Sequence, residues 1–130
     1  MPAMIVCEAP AVIDGDGIRC RGVGEVRLLG IDAPDRRSAR PCRGQYGNHV
    51  CNDRAAAASK ASLRAGLRLG PVRLQPVKRD RYGRLIAAAS AGGTDLSCWQ
   101  LRQGAARYIV KYDDGRRIAR TCPAQARPSR

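Results

Sequence analysis

Apolar and polar positions divide the chain into short strand-like runs before residue 35 and mixed helical and strand-like stretches after residue 52. Residues 4–6 and 11–13 are apolar runs split by Cys7, Glu8, Ala9 and Pro10, which predicts a bent or bulged first strand. Asp14-Gly15-Asp16-Gly17 turns the chain into a second strand over residues 18–21, and Gly22 and Gly24 turn it again. Residues 25–31 then read as the third strand of a meander closed by tight loops. Pro34 ends that strand and opens a long polar loop over residues 36–52. Asp53 is the predicted N-cap of a helix over residues 54 to about 65, where alanine favours helix and Ala56, Leu63 and Leu67 recur on one face. Gly66 and Gly70 are the predicted stops.

Residues 72–77 alternate as a strand does, and Lys78-Arg79-Asp80-Arg81-Tyr82-Gly83-Arg84 is a charged turn into a strand over 85–89. Gly92-Gly93 turns the chain once more, Thr94 or Asp95 caps a second helix running to about Gln103, and Gly104 stops it. Cys98, Leu101 and Ala105 share one face of this helix, so Trp99 is read as a packing or rim residue. One domain is therefore expected over residues 1–112, followed by a basic tail over 113–130, tethered through Cys122 and frayed after Pro123.

At 130 residues the chain supports a single modest core. Its 24 Lys and Arg against 11 Asp and Glu leave a net charge of +13, which suits a polyanionic partner because neutralising phosphates releases counterions. Nucleic acid is the leading candidate. With four Tyr, one Trp and no Phe, the chain is poorly supplied for a face of stacked bases, which argues against a plain single-strand-binding module.

Six cysteines without a Cys-x-x-Cys knuckle point to disulfides, with a zinc site as the alternative use. Cys42 and Cys51 flank a short polar segment and pair by proximity; Cys98 with Cys122, and Cys7 with Cys20, follow by elimination. Disulfides call for a secreted or periplasmic compartment, although residues 1–10 lack a basic region followed by an apolar run of signal-peptide length. No run approaches a membrane span, so no membrane partner is expected.

The stretch that carries chemistry is Arg27-Leu-Leu-Gly-Ile-Asp32-Ala-Pro-Asp35, which sets an arginine and two aspartates among residues of buried-strand type. An unpaired charge there would cost several kcal/mol. Two sources of neutralisation are open: Arg27 and Asp32 neutralise each other or lie exposed at a rim, or a phosphate and a metal ion do it. In a meander, the Asp14-Gly15-Asp16-Gly17 turn and the far end of the third strand can share one sheet edge, so Asp16 and Asp32 can converge. His49, the only histidine, lies in the long loop and is read as a surface residue.

Asp-Gly-Asp in a turn, Arg-Leu-Leu-Gly-Ile-Asp-Ala-Pro-Asp on the next strand but one, a helix, Asp80-Arg-Tyr-Gly-Arg84 at a later turn and Leu101-Arg-Gln-Gly-Ala-Ala106 in the second helix follow in that order. This order and spacing resembles the staphylococcal nuclease (thermonuclease) family over roughly residues 5–112. The resemblance implies an α+β β-barrel, a five-stranded OB-type barrel with two or three packed helices, and Ca²⁺-assisted phosphodiester hydrolysis. It makes Asp16 and Asp32 the carboxylate ligands of the metal, with the carbonyl of Ala33 as a third oxygen. Arg27 and Arg84 would clamp the scissile phosphate, and Asp35 would orient or deprotonate the attacking water. Arg81 and Tyr82 match positions that contact the nucleotide's terminal phosphate and sugar, and Tyr112 matches one of two substrate-facing tyrosines. The other is Val110 here, for which Tyr108 is a candidate substitute.

Three departures stand out. Gly17 replaces the usual threonine after Asp-Gly-Asp, Ala33 replaces a threonine of founding members, and Asp35 replaces the family's glutamate. The last shortens the side chain by one carbon, about 1.5 Å, and an ångström at a catalytic centre can cost about a hundredfold. The leading expectation is thus a monomeric Ca²⁺-dependent nuclease acting on DNA and RNA, single-stranded or locally open, with little sequence preference. The alternative is an OB-type nucleic-acid-binding protein that has lost turnover, and a third reading is a disulfide-rich basic interaction protein whose charges mimic the motif.

Overall fold

The structure is a computed structural model that describes residues 4–36, 38 and 51–127. Among the described residues nine strands and three α-helices follow in the order β1 (Ile5–Val6), β2 (Glu8–Asp14), β3 (Gly17–Arg21), β4 (Gly24–Leu28), β5 (Ile31–Asp32), α1 (Asp53–Leu67), β6 (Val72–Arg79), β7 (Leu85–Ala91), β8 (Thr94–Asp95), α2 (Leu96–Arg102), β9 (Arg107–Tyr108) and α3 (Arg117–Thr121). The main sheet runs β1-β6-β7-β4-β3-β2, with β8 added on β7. Its two outer members, β1 and β2, are successive halves of one bent strand divided at Cys7, so the sheet curls back on itself. This is the OB-type α+β barrel the resemblance implies.

Every strand contact is antiparallel except β4 against β7, where Val26, Arg27 and Leu28 face Leu85, Ile86 and Ala87. β7 is buried along nearly its whole length, and its period of two serves two cores. Leu85, Ala87, Ala89 and Ala91 join Ile18, Val26, Leu28 and Leu74 in the barrel, with Leu63 of α1 and Leu96 of α2 closing over them. Ile86 and Ala88 face the other way, against Leu29, Cys98, Tyr108, Ile118 and Cys122.

The second core overturns the expectation of a tail. From Asp113 the chain forms a 3₁₀ turn over Asp114–Arg116 and then α3, with Ile118 wholly buried. Burying such a side chain contributes about 1.5–3 kcal/mol, enough to hold a short basic helix against the barrel. Asp113 organises the entry: its carboxylate accepts from the Tyr108 hydroxyl at 2.7 Å and from the amides of Ile118 and Ala119 at 2.9 and 3.1 Å. The Cys98–Cys122 disulfide then ties α3 to α2, and Cys7–Cys20 ties the bend of the first strand to β3. Closing loops of this size stabilises by about 3 kcal/mol each in the chain-entropy account. Cys42, and with it the expected pairing with Cys51, lies outside the described residues, as does His49.

Three local expectations shift. The N-cap of α1 is Asn52, whose side chain accepts from the Ala55 amide at 3.0 Å, and Asp53 is the first helical residue. Gly66 lies inside α1 rather than stopping it, and glycine serves there because a Cβ would come within 2.9 Å of the Trp99 ring. Trp99 in turn donates its indole N–H to the Ser62 carbonyl at 2.8 Å, as a packing residue does. The third strand is not continuous to residue 31: Gly30, at φ +80°, breaks it into β4 and β5, and β5 leaves the main sheet to pair with β9. Among the described residues no helix is long and apolar enough to cross a membrane.

Candidate active site at the barrel rim

The turn from Asp14 to Gly17 connects β2 to β3. Asp14 Oδ1 accepts from the Asp16 amide at 3.2 Å, and the Asp16 carbonyl accepts from the Leu28 amide at 2.9 Å, which sews the turn to the end of β4. Asp16 is only 6% exposed, and its Oδ2 accepts from the Ala33 amide at 2.9 Å. The same oxygen lies 3.3 Å from Arg27 Nη1. Arg27 Nη2 donates to the Ile31 carbonyl at 3.2 Å and stands 3.6 Å from Asp32 Oδ1.

The break at Gly30 makes this possible. Residues five apart on an unbroken strand point to opposite faces, so Arg27 and Asp32 could not meet across one. Tyr112 completes the cluster from the 3₁₀ turn Val110–Tyr112, its ring 5.1 Å from the Arg27 guanidinium carbon.

Charge is unbalanced here. Desolvation opposes the Arg27 charge, but Asp16 and Asp32 more than offset it and hold the guanidinium above its ordinary range. Asp14 is pushed up to about 7, first by burial, then by Asp16, with a further contribution from Asp35. Four carboxylates thus share one field with a single deeply placed arginine. Asp14 is the site residue that the candidate set lacks. Its signal was present in the Asp-x-Asp spacing, since acids at i and i+2 across a tight turn stay close enough to repel.

The donors are all oxygen, which suits a hard cation rather than a metal that seeks thiolate or imidazole. Among the described residues no three His, Cys, Asp or Glu side chains close into a cage, and the Asp16 and Asp32 carboxylates with the Ala33 carbonyl, the ligands the resemblance implies, would be a partial set. Asp14, Asp16, Asp32 and Asp35 outnumber Arg27 here, an imbalance that a divalent cation relieves, and on that ground the residues fit one. Asp35 follows Pro34, bridges Cys51 and accepts from the Asn52 amide at 2.9 Å, so its backbone is clasped to the N-terminus of α1.

Arg84, Arg81 and Tyr82 form a second cluster at the β6–β7 turn. Asp80 accepts from the amides of Tyr82 and Arg84 and from Arg84 Nε at 2.7 Å. Slight burial works against the Asp80 charge, but these bonds outweigh it and hold the carboxyl below its usual range. Tyr82 is 71% exposed, with the guanidiniums of Arg81 and Arg84 5.2 and 5.5 Å from its ring centre. Arg84 Nη1 reaches Glu25 Oε2 at 3.8 Å. Glu25 and Arg27 lie on the same face of β4, whose other face carries buried Val26 and Leu28. Arg84 is therefore anchored one pleat, about 7 Å along the strand, from Arg27. The structure brings Asp16, Arg27, Asp32, Ala33 and Tyr112 into direct contact and places Arg84 beside them, paired with acids of its own. Tyr108 does not substitute for the tyrosine missing at Val110: it is a core residue bonded to Asp113.

Fold and site define an OB-type α+β barrel with an acid–arginine centre on its rim. The chain belongs to the staphylococcal nuclease family: residues 25–128 match the family described as "Staphylococcal nuclease homologue", a span that includes α3. It is also similar to the SPbeta prophage-derived endonuclease YokF of Bacillus subtilis (strain 168), 28% identical over 104 residues, which covers 78% of this chain and 33% of that protein. The chain thus spans about a third of the length of this relative.

Proposed function

We propose that the chain is a nuclease, a Ca²⁺-dependent phosphodiesterase that cleaves DNA and RNA in single-stranded or locally open form with little sequence preference. The observation that carries this reading is the Arg27 guanidinium held between Asp16 and Asp32 at the rim, 3.3 and 3.6 Å away. Asp16, Asp32 and the Ala33 carbonyl would hold the cation, which supplies Lewis-acid polarisation of the phosphoryl oxygens when bound. Arg27 and Arg84 bind the scissile phosphate, because a planar guanidinium donates bidentate bonds to charge developing on the equatorial oxygens. Asp35 orients the attacking water and accepts its proton. The new bond forms from water oxygen to phosphorus, the P–O5′ bond breaks with its electron pair leaving on O5′, which takes a proton from solvent water, and a 5′-hydroxyl and a 3′-phosphate result. Arg81, Tyr82 and Tyr112 hold the flanking phosphate and sugar, and the net charge of +13 supplies sequence-independent attraction. We also propose a monomer that works in a secreted or periplasmic setting, a reading supported by Cys7–Cys20 and Cys98–Cys122.

The test is cleavage of single-stranded DNA, duplex DNA and RNA by the oxidised protein with Ca²⁺, with Mg²⁺ and with chelator, with Arg84→Ala as the control for contaminating nuclease. Calcium-dependent cleavage that the variant lacks supports the reading. DNA retained at low salt without cleavage would instead make the protein a binding module, with Asp35 as the altered position.

A further inference from the structure

We propose that Gln100 is a positioning residue for the acidic turn, acting from the helical layer behind the site. The inference rests on the nuclease reading of that turn. Gln100 lies on α2 and is wholly buried. Its Nε2 donates to the Gly15 carbonyl at 2.7 Å and to the Ser59 carbonyl at 3.0 Å, and lies 3.3 Å from Ser59 Oγ. Its Oε1 accepts from the Ser62 hydroxyl at 2.6 Å. The orientation of the amide follows from these partners: two carbonyls can only accept, so the NH₂ must face them. Ser59, also buried, donates its hydroxyl to the Ala105 carbonyl at 2.7 Å, which links α1 to the chain that follows α2.

Gly15 stands between Asp14 and Asp16, and its own surroundings explain why the carboxamide matters. A Cβ on Gly15 would fall 1.8 Å from Ser59 Oγ and 2.8 Å from the Ala33 Cβ, so the turn sits directly against α1 and the β5 edge. Gln100 takes the carbonyl of the Gly15–Asp16 peptide, Asp14 Oδ1 takes its N–H, and the Asp16 carbonyl is taken by Leu28. Both peptides that flank the Asp16 Cα are thereby held. Fixed peptides on either side leave the Asp16 carboxylate little freedom to leave Ala33 N and Arg27. A buried acceptor stripped of its donor is expensive, so losing Gln100 drives the Gly15 carbonyl to reorient and carries Asp16 with it. A side chain that touches neither cation nor substrate would in this way set the spacing of the acids.

The test is amide hydrogen exchange by NMR on the metal-free protein, together with calorimetric Ca²⁺ titration, for wild type, Gln100→Leu and Ser62→Ala. The Ala33 amide reports the Asp16 carboxylate that it binds, and the Cys7 amide, bonded to the Val72 carbonyl at 2.9 Å across the barrel, is the reference. In Gln100→Leu the Ala33 amide should exchange about tenfold faster relative to Cys7. The Ca²⁺ dissociation constant should rise about tenfold. Ser62→Ala frees one end of the carboxamide without emptying its place, and should move both readouts the same way by less. If Gln100→Leu does not fold, Ser62→Ala decides. Equal loss of protection at Ala33 and Cys7 would make Gln100 a general packing residue and overturn the proposal, as would no change at Ala33. A wild type that binds no Ca²⁺ would overturn the metal reading alone, and the exchange at Ala33 would still decide the role of Gln100.

Discussion

Glu25 and Arg84 pair across the junction of β4 and β7, Oε2 to Nη1 at 3.8 Å, while Asp80 holds Arg84 Nε at 2.7 Å. Both pairs are partly exposed, so each contributes at most about 1 kcal/mol to folding. Their effect is to fix the direction of a guanidinium that supports no core. Arg84→Ala should therefore leave the urea midpoint almost unchanged and reduce cleavage about 10²- to 10³-fold, the loss typical of one oxyanion donor. Arg84→Lys should restore little, because an ammonium lacks the planar fork. Initial rates on DNA beside urea denaturation curves decide the matter, and an Arg84→Ala protein that cuts at the wild-type rate would refute this placement of the site.

Asp35 is one carbon shorter than the glutamate usual at its position in the family, and its backbone is clasped by the Asn52 amide and the bridge to Cys51. If reach limits the reaction, Asp35→Glu should raise the rate of DNA cleavage by an order of magnitude or more, about what an ångström of misplacement costs. An unchanged or lower rate would show that the clasped backbone already brings aspartate to the water.

The meander, the capped second helix and the convergence of Asp16 with Asp32 were legible in the residues, because turn chemistry and alternation are local signals. The breadth of the domain was not. Residues 113–127 look like a tail because four of the fifteen are Arg and Ile118 is the one large aliphatic residue among them, yet Ile118, Cys122 and Ala126 suffice to bury one side of a short helix once Cys98 supplies the tether. Asp14 escaped because burial is the larger cause of its shift and a turn motif does not display burial, although the Asp-x-Asp spacing does show its neighbour Asp16. Gln100 escaped for a similar reason: in sequence it is one more polar residue on a helix, and only the packing of α1 and α2 against Gly15 gives its carboxamide partners.

Gly30 shows the same dependence on tertiary context and can be tested directly. Its φ of +80° and the Ile118 Cγ1 and Asp113 Cβ atoms, 3.0 and 3.3 Å from where a Cβ would stand, leave no relaxed place for a side chain. Gly30→Ala should destabilise by about 1–3 kcal/mol from backbone strain and crowding together. Cleavage measured well below the unfolding transition should also fall, because the break at Gly30 is what lets Arg27 and Asp32 face each other. Urea denaturation and initial rates on the same samples would separate the two effects. Unchanged stability would mean the turn accepts a side chain.

Asp95 offers a pH test away from the rim. It caps α2, its Oδ1 accepting from the Cys98 amide at 2.9 Å. Burial raises its pKa above the ordinary 3.8 and outweighs the lowering effect of the Cys98 and Ser97 amides and of Arg117. The folded state therefore holds this proton more tightly than the unfolded chain does. The sign follows: the favourable contribution is fully present below the unfolded value of 3.8 and is lost as pH rises through the folded value. Asparagine caps helices as well as aspartate and keeps the acceptor oxygen without the buried charge. Asp95→Asn should match the wild type in stability at the acid end and exceed it at pH 7, the gap opening across the window just above 3.8. Taking the difference between the two proteins at each pH, by urea denaturation, cancels the titration of every group that does not interact with Asp95, which leaves Asp113 as the other carboxylate in play. A difference that stays flat with pH would show that Asp95 titrates normally, and a variant less stable at pH 7 would show that the attraction to Arg117 exceeds the cost of burial.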